Sequence, residues 1–363
     1  MRVICAHCGR EFPWEATRFR CDCGRPLKVA DAPAFDPAQV DPGDFTLWRY
    51  RHALPMPKDS RPVTLGEGMT PLVEAEWDGL RLRFKCESLN PTGSFKDRGT
   101  AVLVTALVAA GVETVVEDSS GNAGSSLAAY AARAGLHATI YVPAHASPAK
   151  KAQVSAYGAR LVSVPGPRAA AAEAVLEAAA KGAVYASHVY HPLIHHGMKT
   201  VAFELWEQLG RQAPDAVVLP VGHGSLLLGL AMGFGELLAA GCIRQVPRFY
   251  GVQAAACAPL VAAWKRGAEE PEPVGEGETV AEGVRIAAPV RGREILAAVR
   301  ASGGAFVAVS DEETLRARER LAHRGFYVEP TSAVAVAALD HLRERLTGTV
   351  VAILTGNGLK HNG

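Results

Sequence analysis

From Leu80 onward the chain alternates short apolar runs with longer Ala-rich stretches. Six runs have the length and apolar content of buried strands: Thr114–Glu117, Ala138–Val142, Arg160–Val164, Ala216–Val221, Phe249–Val252 and Val350–Leu354. Between them, Thr100–Ala109, Ser125–Ala134, Ala169–Ala180 and Leu226–Ala240 read as helices. Strand and helix in this order predict an α/β protein whose parallel sheets are covered by helices. The pattern before Leu80 differs. Two cysteine pairs open the chain, and a Pro- and Asp-rich stretch from Asp31 to Pro62 reads as an extended connector. The expected organisation is a cap over 1–30, a connector over 31–85 packed on the larger domain, a small mobile α/β domain over 86–200, and a large α/β domain over 201–363. A Pro/Glu/Gly-rich break at Glu269–Glu278 is expected to be a surface loop, and no internal repeat is visible.

Composition narrows the function classes. Of 363 residues, 48% are apolar and 7% aromatic, enough for a sizeable core. The formal charge of +1 gives no reason to expect nucleic acid or an anionic membrane as partner. No apolar run approaches the roughly 20 residues that span a bilayer, and Met1–Cys5 is not followed by a signal-type apolar stretch. A cytoplasmic protein is expected, working as a homodimer on a small molecule. Cys5, Cys8, Cys21 and Cys23 cluster, whereas Cys86, Cys242 and Cys257 are scattered. That argues for a metal site plus buried thiols over a disulfide framework. Each pair adjoins a glycine, and four thiolates so placed suit structural zinc; four free cysteines in a loop-rich cap are the other reading. His7 is expected to lie in solvent.

Four glycine-containing turns carry the candidate chemistry. In Asn90–Gly99, Lys96 enters a helix, where the positive end of the dipole disfavours its ammonium form and suits an amine that condenses with an aldehyde. Taken alone, it reads better as a surface lysine in a salt bridge with Asp97. In Asp118–Gly124, the small residues Ser120, Gly121, Asn122, Ala123 and Gly124 follow a strand and precede a helix, so backbone N–H groups there can bind a carboxylate. An ordinary capped turn would look the same. Gly222, His223, Gly224, Ser225 and Leu226 again join strand to helix, as a phosphate cradle does. The Lys-Ser/Thr ending of a nucleotide P-loop is missing, which favours a monophosphate. After the last predicted strand, Thr355 in Thr355–Lys360 offers a neutral hydroxyl to a ring nitrogen.

In this order the four turns resemble those of the fold type II pyridoxal-phosphate (PLP) enzymes, nearest to threonine synthase and its relatives. Gly66–Leu72, Gly197–Thr200 and Glu329–Ala333 extend the resemblance, which runs from about Leu65 to the end. It implies a two-domain fold type II enzyme with a small N-terminal cysteine ribbon. It makes Lys96 the Schiff-base lysine, Asn122 the partner of the cofactor's phenolate oxygen, Gly222–Leu226 the phosphate cradle, and Thr355 the partner of the pyridine nitrogen. It implies elimination or replacement on a small amino acid, with Ser187 and His188 among the substrate contacts. The stretch Ala186–Gly197 departs from the family, because Ile194 stands where threonine synthases carry an arginine for the substrate phosphate. Position 194 is therefore expected to face the substrate, with His195 and His196 beside it. Dehydratase-like and cysteate synthase-like reactions remain alternatives, as does a PLP-binding regulatory protein without turnover.

Overall fold

The computed structural model describes residues 1–119, 121–144, 148–166 and 168–360. Two compact units form: one combines Met1–Gly68 with Asn90–Met198, and the other combines Met69–Leu89 with the chain from Lys199 onward. The described strands are β1 (Arg2–Cys5), β2 (Glu11–Pro13), β3 (Leu27–Val29), β4 (Leu72–Trp77), β5 (Leu80–Lys85), β6 (Thr114–Glu117), β7 (His137–Pro143), β8 (Arg160–Val164), β9 (Val184–Tyr185), β10 (Ala216–Pro220), β11 (Arg248–Ala254), β12 (Ala305–Val309) and β13 (Val350–Ile353). All six strands read from the sequence are present; β1–β5, β9 and β12 are additional to them.

The first unit holds an antiparallel ribbon of order β2-β1-β3 and a four-stranded parallel sheet of order β8-β7-β6-β9. Its helices are α1 (Lys96–Ala109), α2 (Asn122–Ala134), α3 (Pro148–Ala156), α4 (Arg168–Ala180) and α5 (Leu193–Met198). Helix α1 begins at Lys96, a full turn before the predicted Thr100, so the lysine sits in its first turn. Helices α1 and α5 approach closely through glycine. A Cβ on Gly197 would lie 2.1 Å from the Arg98 carbonyl oxygen, and one on Gly99 would lie 2.9 Å from Met198 Cε. Any larger residue would push α5 off the start of α1.

The second unit is a six-stranded sheet of order β12-β11-β10-β13-β5-β4, parallel except for the β4–β5 hairpin. Every residue of β10 and β13 is buried, as expected of strands covered on both faces. Its helices are α6 (Thr200–Gln208), α7 (Ser225–Ala239), α8 (Pro259–Lys265), α9 (Gly292–Ala301), α10 (Asp311–Ala322), α11 (Pro330–Ala337) and α12 (Leu339–Leu342).

The stretch 31–85, expected as one connector on the larger domain, is shared between the units. Up to Gly68 it belongs to the first, where Glu67 accepts from Leu47 N–H (2.8 Å, carbonyl) and Trp48 Nε1 (2.9 Å, carboxylate). From Met69 it belongs to the second, because β5 pairs in parallel with β13. Asp78 and Gly79 both take positive φ, at 49° and 82°, and close the β4–β5 hairpin. Asp-Gly between two apolar runs was the available sequence signal for this turn. Lys85 at the end of β5 is fully buried, and its ammonium donates to Glu204 Oε2 (2.7 Å), the Thr70 carbonyl (2.8 Å) and Gln208 Oε1 (3.0 Å). Three donors matched to three acceptors make this buried cation tolerable, and they tie α6 to the sheet edge. No helix among the described residues is long and apolar enough to cross a membrane.

Candidate active site

In the first unit, the turn before α1 is built from local contacts. Gly93 takes φ +82° and donates to the Asn90 carbonyl (2.7 Å), while Asn90 Oδ1 accepts from Gly68 N–H (3.1 Å). Asp97 is fully buried, not a surface partner for the lysine. Its carboxylate accepts from Thr92 N–H (2.7 Å), Thr92 Oγ1 (2.6 Å) and Ser126 Oγ (2.7 Å), which locks the turn onto α1 and α2. The half-buried Lys96 Nζ lies 4.9 Å from the Phe95 ring centre. Ser94 Oγ is fully buried with no hydrogen-bond partner among the described residues.

The second turn starts α2 at Asn122. A Cβ on Gly124 would sit 1.7 Å from the Ser119 carbonyl oxygen, so only glycine allows the chain to fold back here. The first backbone N–H groups of the helix, from Asn122 through Gly124, find no acceptor inside the helix itself and are disposed toward an anion. Ser120 lies outside the described residues.

Next to this turn is a cluster that the sequence reading missed. Glu117 ends β6, and Asp118 follows it. His188 Nδ1 lies 2.7 Å from Glu117 Oε1, and His188 N–H donates to Glu117 Oε2 (3.3 Å). Tyr185 Oη donates to Asp118 Oδ1 (2.7 Å). Burial pushes the Glu117 carboxyl up to about 7, opposed by hydrogen bonds from Asp118 and His188 and by the charge of Lys96. Burial and then the charge of Glu117 push Asp118 up to about 6. Burial thus raises both neighbouring acids, and only Glu117 feels the charge of Lys96.

The stretch 187–196 is largely buried. Ser187 Oγ accepts from Tyr190 N–H (3.1 Å) and Val189 N–H (3.4 Å), which shapes the loop. Position 194 packs inward, where the sequence led us to expect a side chain open to substrate. Ile194 is 2% exposed, and its carbonyl oxygen and Cγ2 lie 3.0 and 3.1 Å from the place a Cβ on Gly99 would take. The apolar residue is the one this packing requires, and an arginine there would bury its guanidinium against α1. His195 and His196 are buried on the same helix.

In the second unit, the turn Gly222–Leu226 leads from β10 into α7. Gly224 takes φ +75°. A Cβ there would lie 2.3 Å from Ile295 Cδ1, and one on Gly222 would lie 2.8 Å from the Gly283 carbonyl oxygen. Both glycines are buried, so neighbouring residues leave no room for a side chain at either, and α7 starts without a side-chain cap, which leaves its first N–H groups disposed toward an anion. Thr355, after β13, is buried with its Oγ1 3.1 Å from Ser332 Oγ. Ser332 Oγ also accepts from Gly356 N–H (2.7 Å) and donates to the Gly356 carbonyl (3.0 Å). Ser332 is therefore the residue that orients Thr355; the sequence reading quoted its motif without giving it a role.

In the ribbon, the sulfurs of Cys5, Cys8, Cys21 and Cys23 all lie within 4.8 Å of one another, with Cys5–Cys23 at 3.7 Å and Cys8–Cys21 at 3.6 Å. A tetrahedral zinc with Zn–S near 2.3 Å needs S–S edges of about 3.8 Å. His7 is exposed, as expected.

Known proteins are similar to this chain in sequence and fold. The family model described as "Pyridoxal-phosphate dependent enzyme" matches residues 63–356. Threonine synthase of Methanocaldococcus jannaschii is 36% identical over 98% of this chain and 92% of its own. Threonine synthase of Mycobacterium tuberculosis is 39% identical over 89% and 90%. A solved threonine deaminase from T.th. superposes with a TM-score of 0.69 at 31% identity, covering 79% of this chain and 92% of its own. Maize serine racemase, at 22% identity and a TM-score of 0.70 over 80% and 88%, shares the fold. The chain belongs to the pyridoxal-phosphate dependent enzymes of fold type II, and within them it resembles the threonine synthases.

Proposed function

We propose that this enzyme performs elimination or replacement at the side chain of a small amino acid, with threonine synthase the nearest activity. The residues fit PLP. Gly222 and Gly224 stand where a Cβ would clash with their neighbours, at the start of a helix with no side-chain cap, and Ser94 Oγ, a buried hydroxyl with no partner among the described residues, lies two residues before the lysine. Bound PLP withdraws electron density from the bonds at the substrate's α-carbon. Lys96 would hold the cofactor through its amine, and its Nζ, once released, would be the base for the substrate's α-proton. Asn122 donates to the phenolate oxygen, and the N–H groups at the start of α2 hold the substrate carboxylate. Gly222–Leu226 hold the phosphate, and Thr355, oriented by Ser332, meets the ring nitrogen. The observation that carries this reading is Lys96 in the first turn of α1, with Asp97 committed elsewhere and Glu117 at the end of β6 within range of its charge.

Glu117 and Asp118 favour a second reading. Their charge opposes a phosphate leaving group, and the buried Ile194 supplies nothing to offset it. A hydroxyl or amine leaving group needs the proton these acids hold, which points to threonine or serine deamination. O-phosphohomoserine, O-phosphoserine, serine, threonine and diaminopropionate, scored by spectral change and by phosphate or ammonia release, separate the readings. Silence toward all five would overturn both.

We further propose one structural zinc on Cys5, Cys8, Cys21 and Cys23, supported by the sulfur spacing. Elemental analysis of protein purified without chelator should find about one zinc per chain. Metal-free protein with four titratable ribbon thiols would refute the assignment.

A further inference from the structure

Between the two cysteine pairs, the ribbon sends out a loop, residues 14–20, that lies against the segment 185–191 of the same unit. Four contacts define the docking. The Phe19 ring meets Tyr185 edge-on, with centroids 5.0 Å apart at 65°, and meets Tyr190 at 6.1 Å and 74°. Trp14 stands at 88° to His191 with centroids 6.1 Å apart. His191 Nε2 lies 3.0 Å from the Ala16 carbonyl oxygen. His191 Nδ1 accepts from Leu193 N–H (3.3 Å), so the ring proton is on Nε2, and the imidazole donates to the ribbon. Burial pushes His191 down to about 4, so this bond persists unchanged across the working pH range.

The segment held in this way carries the partners of both acids. Tyr185, under Phe19, donates to Asp118, and His188, three residues before the anchored His191, meets Glu117. Phe19 also packs against the cluster of Val116, Val175 and Tyr185. An aromatic ring edge fixes the plane of its neighbour more tightly than aliphatic packing does. The Tyr185 hydroxyl is thereby aimed at a single acceptor.

We propose that Phe19 is a positioning residue for substrate selection: by fixing Tyr185 it orients Asp118, and through the ribbon loop it holds His188 on Glu117. This rests on the reading that these acids face the substrate side chain. The ribbon is then part of the active-site support. The groups facing the acid pair are Lys96 from α1, Tyr185 from β9, His188 from the segment after it, and the acids themselves. Phe19 acts on Tyr185 and His188 and leaves Lys96 untouched.

The test uses the holoenzyme and three variants: Phe19→Ala, Tyr185→Phe and the double. Tyr185→Phe keeps the ring packing and removes only the hydroxyl, so it remains informative if Phe19→Ala folds poorly. Each single variant should keep its cofactor absorbance. Each should raise KM for the preferred amino acid about tenfold, as for one misplaced hydrogen bond to a charged group, with kcat for Phe19→Ala within about twofold. The double should be no worse than the worse single, because both changes break one linkage. The conservative Phe19→Tyr should hold KM near the wild-type value. Additive effects, or a lower Tm with unchanged KM, would reduce Phe19 to a structural residue and overturn the proposal. Histidine NMR of His188 gives a readout that needs no substrate: its titration should shift in Phe19→Ala. A wild-type enzyme whose absorbance responds to no amino acid would refute the functional reading. A responsive wild type with identical variants and an unmoved His188 would refute this inference alone.

Discussion

Lys96→Ala should leave a folded protein that no longer carries its cofactor covalently and has lost at least about a thousandfold in turnover, the scale of removing a positioned general base. The argument is structural as well as chemical. Lys96 is half-buried in the first turn of α1, and the contacts that set this turn run through Asn90, Thr92, Asp97 and Ser126. Truncation at 96 leaves all of them in place, so circular dichroism and Tm should change little. The variant should also push the Glu117 carboxyl further up, because the charge of Lys96 helps to hold it down. Absorbance of the bound cofactor and single-turnover rates check the claim. A variant with a wild-type cofactor band and near-normal turnover would remove Lys96 from the chemistry.

The second expectation concerns charge at the acid pair. Glu117 is up at about 7 and Asp118 at about 6, both raised mainly by burial. An incoming phosphate monoester meets repulsion only to the extent that these groups are ionised, and they can escape it by taking up a proton. That escape costs about 1.4 kcal/mol per pH unit above the pKa. Discrimination against phosphorylated substrates should therefore be small below about pH 6 and grow up to about tenfold per unit above pH 7. Glu117→Gln should flatten this dependence, since an amide still accepts from His188 but has no proton to lose. Ratios of kcat/KM for O-phosphohomoserine and threonine from about pH 5 to 9 measure it, spanning the titration of both acids. Parallel profiles for wild type and variant would show that Glu117 does not sense the substrate.

The same acids set a stability trend. A carboxyl raised in the folded state binds more protons there than in the unfolded chain, so stability falls as pH rises from its ordinary value through the raised one. For Glu117 that window runs from 4.5 to about 7. The Tm of wild type should therefore drop relative to Glu117→Gln across this window and run parallel to it above.

Much of the enzyme was legible in the sequence, because the cofactor elements are written in consecutive residues. A strand, a glycine turn and a helix start need only local backbone chemistry, and β6 with the turn at Gly121–Gly124, and β10 with the turn at Gly222–Gly224, were read at nearly their observed bounds. The place of Lys96 at a helix start was read in the same way. The tertiary structure decided what depends on pairing between distant segments. Glu117 and His188 are 71 residues apart and meet because Val115 and Val116 of β6 pair with Val184 and Tyr185 of β9, a two-residue strand too short to show periodicity. Thr355 and Ser332 meet across 23 residues between a strand end and a helix start. The packing of Ile194 against Gly99 was not legible because a sequence position does not say which face of α5 turns toward α1, and the two glycines that let these helices touch are informative only once they are seen opposed. Local turn geometry is set by neighbours in the chain, whereas side-chain partners are set by strand register and helix rotation, which the whole core determines together.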